Sequence, residues 1–193
     1  MKLYDISQEV FHCKVFPGDE APSFERTVSM ADGGVCNLTV FRQCAHNGTH
    51  LDAPKHFIDE GKAVDQIELE RVIGMAKVVS IQGAVTSEDI KRFMNPPCER
   101  LLLKGDCFVT LDAAKELNRF KVKLIGNESQ TVGPFEDPIP VHLELLQKEV
   151  VLLEGIVLQD VPEGEYFLNA APLNLGGADG APCRAILIQF DSD

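Results

Sequence analysis

The chain has 193 residues, 45% of them apolar and 25% charged, a length and composition suited to one globular domain, residues 1–193, with a core of its own rather than to a disordered polymer. Eighteen basic residues against thirty acidic ones leave a formal charge of −12, the wrong sign for gripping a phosphate backbone, and no basic stripe offsets it, so nucleic acid is excluded as a partner. No apolar run is long enough to span a bilayer and Met1-Lys2-Leu3-Tyr4-Asp5 lacks the regions of a signal peptide, so the expectation is a cytoplasmic protein with no membrane partner.

The chain opens on a strand pattern from Met1 to about Val10, broken by the Pro-Gly turn of Val15-Phe16-Pro17-Gly18-Asp19. Phe16 on that turn suits either the wall of an apolar substrate pocket or a place in the core. After the turn at Ala31-Asp32-Gly33-Gly34, residues Cys36 to Gln43 alternate Cys36, Leu38 and Val40 against Asn37, Thr39 and Phe41, a strand that delivers the chain into its most informative segment.

That segment is Cys44-Ala45-His46-Asn47-Gly48-Thr49-His50-Leu51-Asp52-Ala53-Pro54-Lys55-His56-Phe57, which holds three of the five histidines of the protein. Gly48 and Pro54 favour a tight, irregular backbone over a helix. With extended backbone after Gly48, His50 and Asp52 project from one face, and the turn folds His46 back towards them. Imidazole nitrogen with carboxylate oxygen suits Zn²⁺, Mn²⁺ or Fe²⁺ rather than Ca²⁺. His56, beyond Pro54, stands just outside that ligand set, where an imidazole without a metal moves protons near neutral pH. A surface loop carrying unliganded histidines is the plainer alternative. The cysteines at 13, 36, 44, 98, 107 and 183 form no C-x-x-C pair, and Cys44 reads as a small buried residue.

Downstream, Ala76 to Ile81 and Arg100 to Lys104 read as strands, separated by a helix from Ser87 to Met94 capped by Thr86 or Ser87. Thr110 caps a second helix, Leu111 to Phe120, and Val122 to Gly126 returns as a strand. A third helix spans Val141 to Lys148, followed by the apolar run Val150-Val151-Leu152-Leu153 and then Glu154. A carboxylate ending a buried strand needs a partner, and His142 converges on it if helix and strand pack antiparallel. Tyr166 to Leu173 and Pro182 to Phe190 read as two further strands around the glycine-rich turn Gly176 to Gly180, whose spacing is not a dinucleotide fingerprint.

The run His46 to Phe57 resembles the H-x-G-T-H-x-D-x-P-x-H-F signature of the cyclase family of metal-dependent hydrolases, which includes bacterial kynurenine formamidase and isatin hydrolase. Phe16-Pro17-Gly18-Asp19 is similar to the family's early aromatic-Pro-Gly-Asp, and Ala171-Pro172-Leu173 with Asp179-Gly180-Ala181-Pro182-Cys183-Arg184-Ala185 to its C-terminal P-L…D-G-x-P-x-R-A. The resemblance implies a mixed α/β fold of the swivelling β/β/α type, its mixed, partly barrel-like sheet flanked by a few helices. It implies two Zn²⁺ per subunit, with Mn²⁺ as the alternative: His46, His50 and Asp52 on one, Asp52, His142 and Glu154 on the other, and His56 as proton shuttle. Thr49 or Gln43 is a guess, from proximity in sequence, for orienting the imidazoles.

The implied activity is hydrolysis of a C–N amide bond in a small molecule, N-formylkynurenine as the named guess, in a homodimer or higher homo-oligomer. Opening of a cyclic amide of the isatin type is the alternative within the class, and a non-catalytic metal or small-molecule binding protein of the same fold the alternative outside it. Phe16 stands where formamidases of the family often carry tryptophan, which this chain lacks altogether, and Gly126-Asn127-Glu128-Ser129 departs from the family's Gly-x-Asp. The acidic total favours a neutral or zwitterionic substrate over an anionic one.

Overall fold

The computed structural model describes residues 1–190. In chain order the first half runs β1 (Lys2–Asp5), β2 (Ser23–Val28), β3 (Leu38–Arg42), β4 (His50–Asp52), α1 (Leu69–Val72), β5 (Ile73–Ser80), β6 (Gly83–Val85) and α2 (Ser87–Phe93). The second half runs β7 (Arg100–Lys104), β8 (Cys107–Val109), α3 (Leu111–Arg119), β9 (Leu124–Asn127), α4 (Ile139–Leu146), β10 (Val151–Glu154), β11 (Gly164–Asn169), β12 (Gly180–Pro182) and β13 (Ile186–Gln189). Nine strands form one mixed sheet in the order β1-β13-β11-β5-β7-β9-β10-β4-β12. Its centre, β5-β7-β9-β10, is parallel and its flanks antiparallel.

Strand alternation divides the apolar side chains between two layers. Leu102, Leu124, Val151, Leu153 and Leu51 enter one cluster, and Leu101, Leu103, Ile125 and Leu152 the other, as a period of two demands. The first cluster also takes Leu187 from one flank and Ala181 from the other. A flat sheet could not bring those flanks together, so the sheet curls into a half-barrel around this layer. Its seam is a hydrogen bond: the Gln8 backbone N–H donates to the Thr49 hydroxyl at 2.9 Å. Truncating Leu102, wholly buried here, to alanine costs about 2–5 kcal/mol.

The second layer lies under α2, α3 and α4, which pack side by side. Thr86 caps α2, its hydroxyl accepting from the Asp89 N–H at 3.2 Å, and Thr110 caps α3 through the Ala113 N–H at 3.3 Å, as the sequence leads one to expect. The third helix starts earlier than its apolar pattern, at Ile139, with prolines at 138 and 140 in its first turn, where a missing N–H leaves no helical hydrogen bond unmade.

Other elements differ from the sequence reading as well. The opening strand stops at Asp5: Ile6 still meets Ala185 in register, but beyond it the backbone leaves β13, the Gln8 N–H donating to the Thr49 hydroxyl. The strand before the histidines is present, but both its faces are exposed: β3 pairs only with β2, in a hairpin that stands off the main sheet. The alternation there marks no face buried within this chain.

Candidate metal centre

β4 lies between β10 and β12, with His50 opposite Glu154 and Asp52 opposite both Leu152 and Gly180. Because Leu51 points into the half-barrel, His50, Asp52 and Glu154 all point to the helix side. There α4 supplies His142 from the same face as Leu145 and Leu146. Helix and strand pack so that the His142 Nε2 is 3.2 Å from Glu154 Oε1 and 3.6 Å from Asp52 Oδ2. All four side chains are almost wholly buried.

The two buried imidazoles are held the same way. His50 directs Nδ1 at the Gly48 carbonyl, 3.0 Å away, and His142 directs Nδ1 at the Pro138 carbonyl, 2.8 Å away. A carbonyl only accepts, so Nδ1 carries the hydrogen in both rings and the Nε2 lone pairs face inward. Inward lie carboxylate oxygens: His50 Nε2 is 3.4 Å from Asp52 Oδ1 and 3.5 Å from Glu154 Oε2. Lone pairs facing carboxylates repel unless a cation or a proton stands between them.

His46 and His56 form the outer part. His46 Nδ1 is 2.8 Å from Asp52 Oδ1 and its Nε2 is 2.8 Å from Asp179 Oδ2. Its ring stacks on that of His56 at 3.9 Å, and His56 Nδ1 is 3.2 Å from the same Asp179 oxygen. Gly180 permits this closeness, since a Cβ there would come within 2.6 Å of the His46 ring and 2.7 Å of the Leu51 carbonyl.

The electrostatics follow the packing. Burial opposes charge on His50, but the hydrogen bonds and charges of Asp52 and Glu154 outweigh it and raise its pKa to about 10. Burial likewise opposes charge on His142, which Glu154 lifts to about 8. Burial would raise the Asp52 pKa, yet His46 and His50 hold it well below the usual carboxylate range. His56 goes the other way, lowered chiefly by burial, with Asp52 only partly opposing; it is the imidazole that stays neutral.

These residues fit divalent cations. One set of donor atoms from His50, Asp52 and Glu154, and another from His46, Asp52 and His56, each lie within 4.8 Å of one another. Asp52 Oδ2 is buried with no hydrogen-bond partner, a costly state for a carboxylate oxygen that a cation would relieve.

All six residues expected from the sequence come together here. Their grouping differs from the expected one, in that His56 stands with His46 and Asp52 instead of beyond them, while His50 stands with Glu154. Asp52 belongs to both sets. The Thr49 guess is corrected by the structure: its hydroxyl donates to the Gly155 carbonyl at 2.7 Å and accepts from Gln8, touching no imidazole. The Gln43 amide nitrogen is buried and without a partner. Sequence reading missed Asp179 as a member of the site, although it opens the Asp179-Gly180 run. Cys44 stands apart from both sets, its thiol 3.8 Å from the Asp19 carboxylate.

A pocket of about 200 Å³ opens onto the cluster, lined beyond the histidines by Phe16, Phe57, Gln130, Thr131 and Pro138. Phe16 therefore sits at a pocket wall, its ring 5.2 Å from that of Phe135. Such a pocket takes a small group, not a polymer.

Buried imidazoles and carboxylates around an open pocket, on a curled mixed sheet, define a metal-dependent hydrolase. Residues 4–132 match the model of the family described as "Putative cyclase", and the chain belongs to that family. It is 35% identical to a protein of Salinibacter ruber named kynurenine formamidase, over 97% of both chains. A solved structure titled "The Structure Of Potential Metal-Dependent Hydrolase With Cyclase Activity" superposes with a TM-score of 0.83 at 27% identity, covering 99% of each chain. An isatin hydrolase bound to thioisatinate shares the fold, with a TM-score of 0.85 at 18% identity over 98% of this chain and 93% of that one. No helix among the described residues is long and apolar enough to cross a membrane.

Proposed function

We propose that the chain removes the formyl group from an aryl formamide, N-formylkynurenine being the substrate its 35%-identical relative suggests, and that it does so with two divalent cations per subunit, Zn²⁺ or alternatively Mn²⁺. The reading is carried by one observation: inward-facing Nε2 atoms of His50 and His142 converge with Asp52 and Glu154, leaving an Asp52 oxygen buried and unpartnered. His46, His50, Asp52, His142 and Glu154 would hold the cations, with Asp52 shared. Bound there, the cations supply Lewis acidity, which acidifies a water and polarises a carbonyl.

The protein's own groups supply the rest. Asp179 accepts the Nδ1–H of His56, which leaves Nε2 of that ring as the atom that exchanges protons with the pocket. Its lowered pKa keeps it neutral near pH 7, ready to take a proton from the attacking water and return it to the departing nitrogen as the C–N bond breaks. The free arylamine and formic acid result, the acid leaving as formate with its proton given up to solvent, so that atoms and charge balance. Phe16 and Phe57 line the pocket with aromatic surface suited to an aryl ring.

A homodimer or higher homo-oligomer is part of the proposal. The β2–β3 hairpin leaves Phe24, Leu38, Val40 and Phe41 more than half exposed, and an isolated two-stranded ribbon is marginal in water without cover. The deciding experiment is turnover of N-formylkynurenine, formanilide and isatin by protein loaded with Zn²⁺ or Mn²⁺. Release of formate from the formamides supports the reading. Full metal occupancy with no turnover of any of the three would discard it.

A further inference from the structure

The two buried imidazoles lean on carbonyls of unequal firmness. The Pro138 carbonyl, which accepts from His142 Nδ1, stands at the N-cap of α4 and also accepts the His142 backbone N–H at 3.1 Å, so the helix itself holds it. The Gly48 carbonyl, which accepts from His50 Nδ1, belongs to a loop residue with a φ of +64° and no side chain. Such a residue is free to move unless something outside it fixes it. Glu154 is in a similar position, because it is the last residue of β10 and Gly155, next in the chain, has a φ of +66°.

Gln8, in the loop after β1, ties both glycines down. Its Oε1 accepts from the Lys14 N–H at 2.7 Å, and the Lys14 carbonyl accepts from the Gly48 N–H at 3.1 Å. Its Nε2 donates to the Gly155 carbonyl at 2.8 Å, across 147 residues of chain. Its backbone N–H donates to the Thr49 hydroxyl at 2.9 Å, and that hydroxyl donates to the same Gly155 carbonyl at 2.7 Å. The three segments meet so closely that a Cβ on residue 155 would overlap the Gly48 carbonyl oxygen and come within 2.9 Å of Gln8 Nε2.

Strand register places residues 50 and 154 opposite each other, but it does not fix how the His50 ring turns on its own side-chain torsions. The hydrogen bond from Nδ1 does that, and it is only as well placed as the Gly48 carbonyl that receives it. Gln8 lines no part of the pocket over the cluster. Any influence it has on the centre passes through the backbone on either side of the donors.

We propose that Gln8 is a positioning residue of the metal centre: by holding Gly48 and Gly155 on one amide, it sets the direction in which His50 Nε2 faces Glu154 Oε2, 3.5 Å away. This rests on the reading of the cluster as a metal centre. A carboxamide suits the task because it offers an acceptor and a donor side by side, one for the loop that carries Gly48 and one for the turn that follows Glu154. Without it both ligand-bearing segments keep their strand pairing but lose a common anchor, and the cavity between the donors loses its fixed size.

The test compares the parent with Gln8→Met, which keeps the length of the side chain and loses both of its hydrogen bonds, and with Gln8→Asn, which keeps the amide but stops one methylene short. Zn²⁺ affinity is measured by competition with a chelator, and the ligand geometry by the visible d–d absorption of the Co²⁺-loaded proteins, both well below the melting temperature of each. Both variants should bind Zn²⁺ about tenfold or more weakly than the parent and show a displaced Co²⁺ spectrum. A side chain that merely held the loop would lower the melting temperature and leave affinity and spectrum at the parent's values, and that result in both variants overturns the proposal. If the parent itself takes up neither cation, the metal reading fails and the positioning role falls with it, whereas a parent that binds and variants that match it reject the role of Gln8 alone.

Discussion

His50 and Glu154 are partners across the antiparallel pairing of β4 and β10, with His50 Nε2 3.5 Å from Glu154 Oε2. A strand register thus sets two of the buried donors to within a fraction of an ångström, before any loop contributes. A slip of β4 by one residue would send His50 and Asp52 to the half-barrel side of the sheet and leave Glu154 behind. The β4–β10 pairing is therefore the foundation of the centre, and Asp52, two residues along β4, is its hinge.

Asp52 takes part in both donor sets, so its loss should be felt twice. Asp52→Asn keeps the shape and removes the charge. Metal affinity should fall by more than the ~10–100-fold typical of losing an outer hydrogen-bond partner, measured by elemental analysis after dialysis. Unchanged metal content would show that Asp52 bridges nothing.

The metal-free protein should carry a distinctive pH dependence. His50 is raised to about 10 and His142 to about 8 in the folded state, above the ordinary histidine value of 6.5. A group with a raised pKa binds its proton more tightly when folded, so its stabilisation is complete below about pH 6.5 and lost as pH climbs through 8 towards 10. Melting temperature of the metal-free protein should decline over that window. Added Zn²⁺ or Mn²⁺ competes with those protons and should flatten the decline. A metal-free melting temperature that rises from pH 7 to 10 would contradict the inward-facing Nε2 geometry.

His56 offers a contrast with Asp52, since its ring is partly exposed at the pocket and stacks on His46. His56→Ala should retain most bound metal yet lose about 10²–10⁴-fold in kcat. Asp179→Asn, which removes the charge of the carboxylate that both His46 and His56 meet, should reduce kcat less and shift the pH–rate profile. Retention of parental kcat by His56→Ala would assign proton transfer elsewhere.

How much of this was legible in the sequence depends on distance along the chain. His46, His50, Asp52 and His56 declared themselves because metal chemistry compressed into one turn and one strand leaves a local pattern. His142 and Glu154 are each unremarkable alone, and only the resemblance gave them weight; their meeting depends on how α4 lies against β10. Asp179 meets His46 across 133 residues; it opens the run that resembles the family's D-G-x-P-x-R-A, but nothing in that run shows which residues it meets. The mixed α/β class and its partly barrel-like sheet came from the resemblance, with which the alternation of strands and helices agreed; no local pattern shows the curl, which arises when opposite flanks share one apolar layer.

The β2–β3 hairpin poses the last question, since an alternating strand looks the same whether its own chain, another copy or nothing covers it. Phe24 is in register with Phe41, and both rings neighbour Phe11, at 4.7 and 6.3 Å. Even so Phe24 and Phe41 remain 56% and 55% exposed, as does Val40 at 56%. Apolar surface of that extent on a ribbon joined to no other strand implies a covering partner, and a second copy of the chain is the one always present. The double variant Phe24→Ser with Phe41→Ser should therefore run as a smaller species in light scattering after size exclusion, with its metal centre intact by elemental analysis. Each serine removes aromatic contact area whose loss at a packed interface typically costs about 2 kcal/mol or more, enough together to dissociate a micromolar dimer. If parent and variant share one monomeric mass, the hairpin is not an intersubunit arm and the proposed homo-oligomer loses its support.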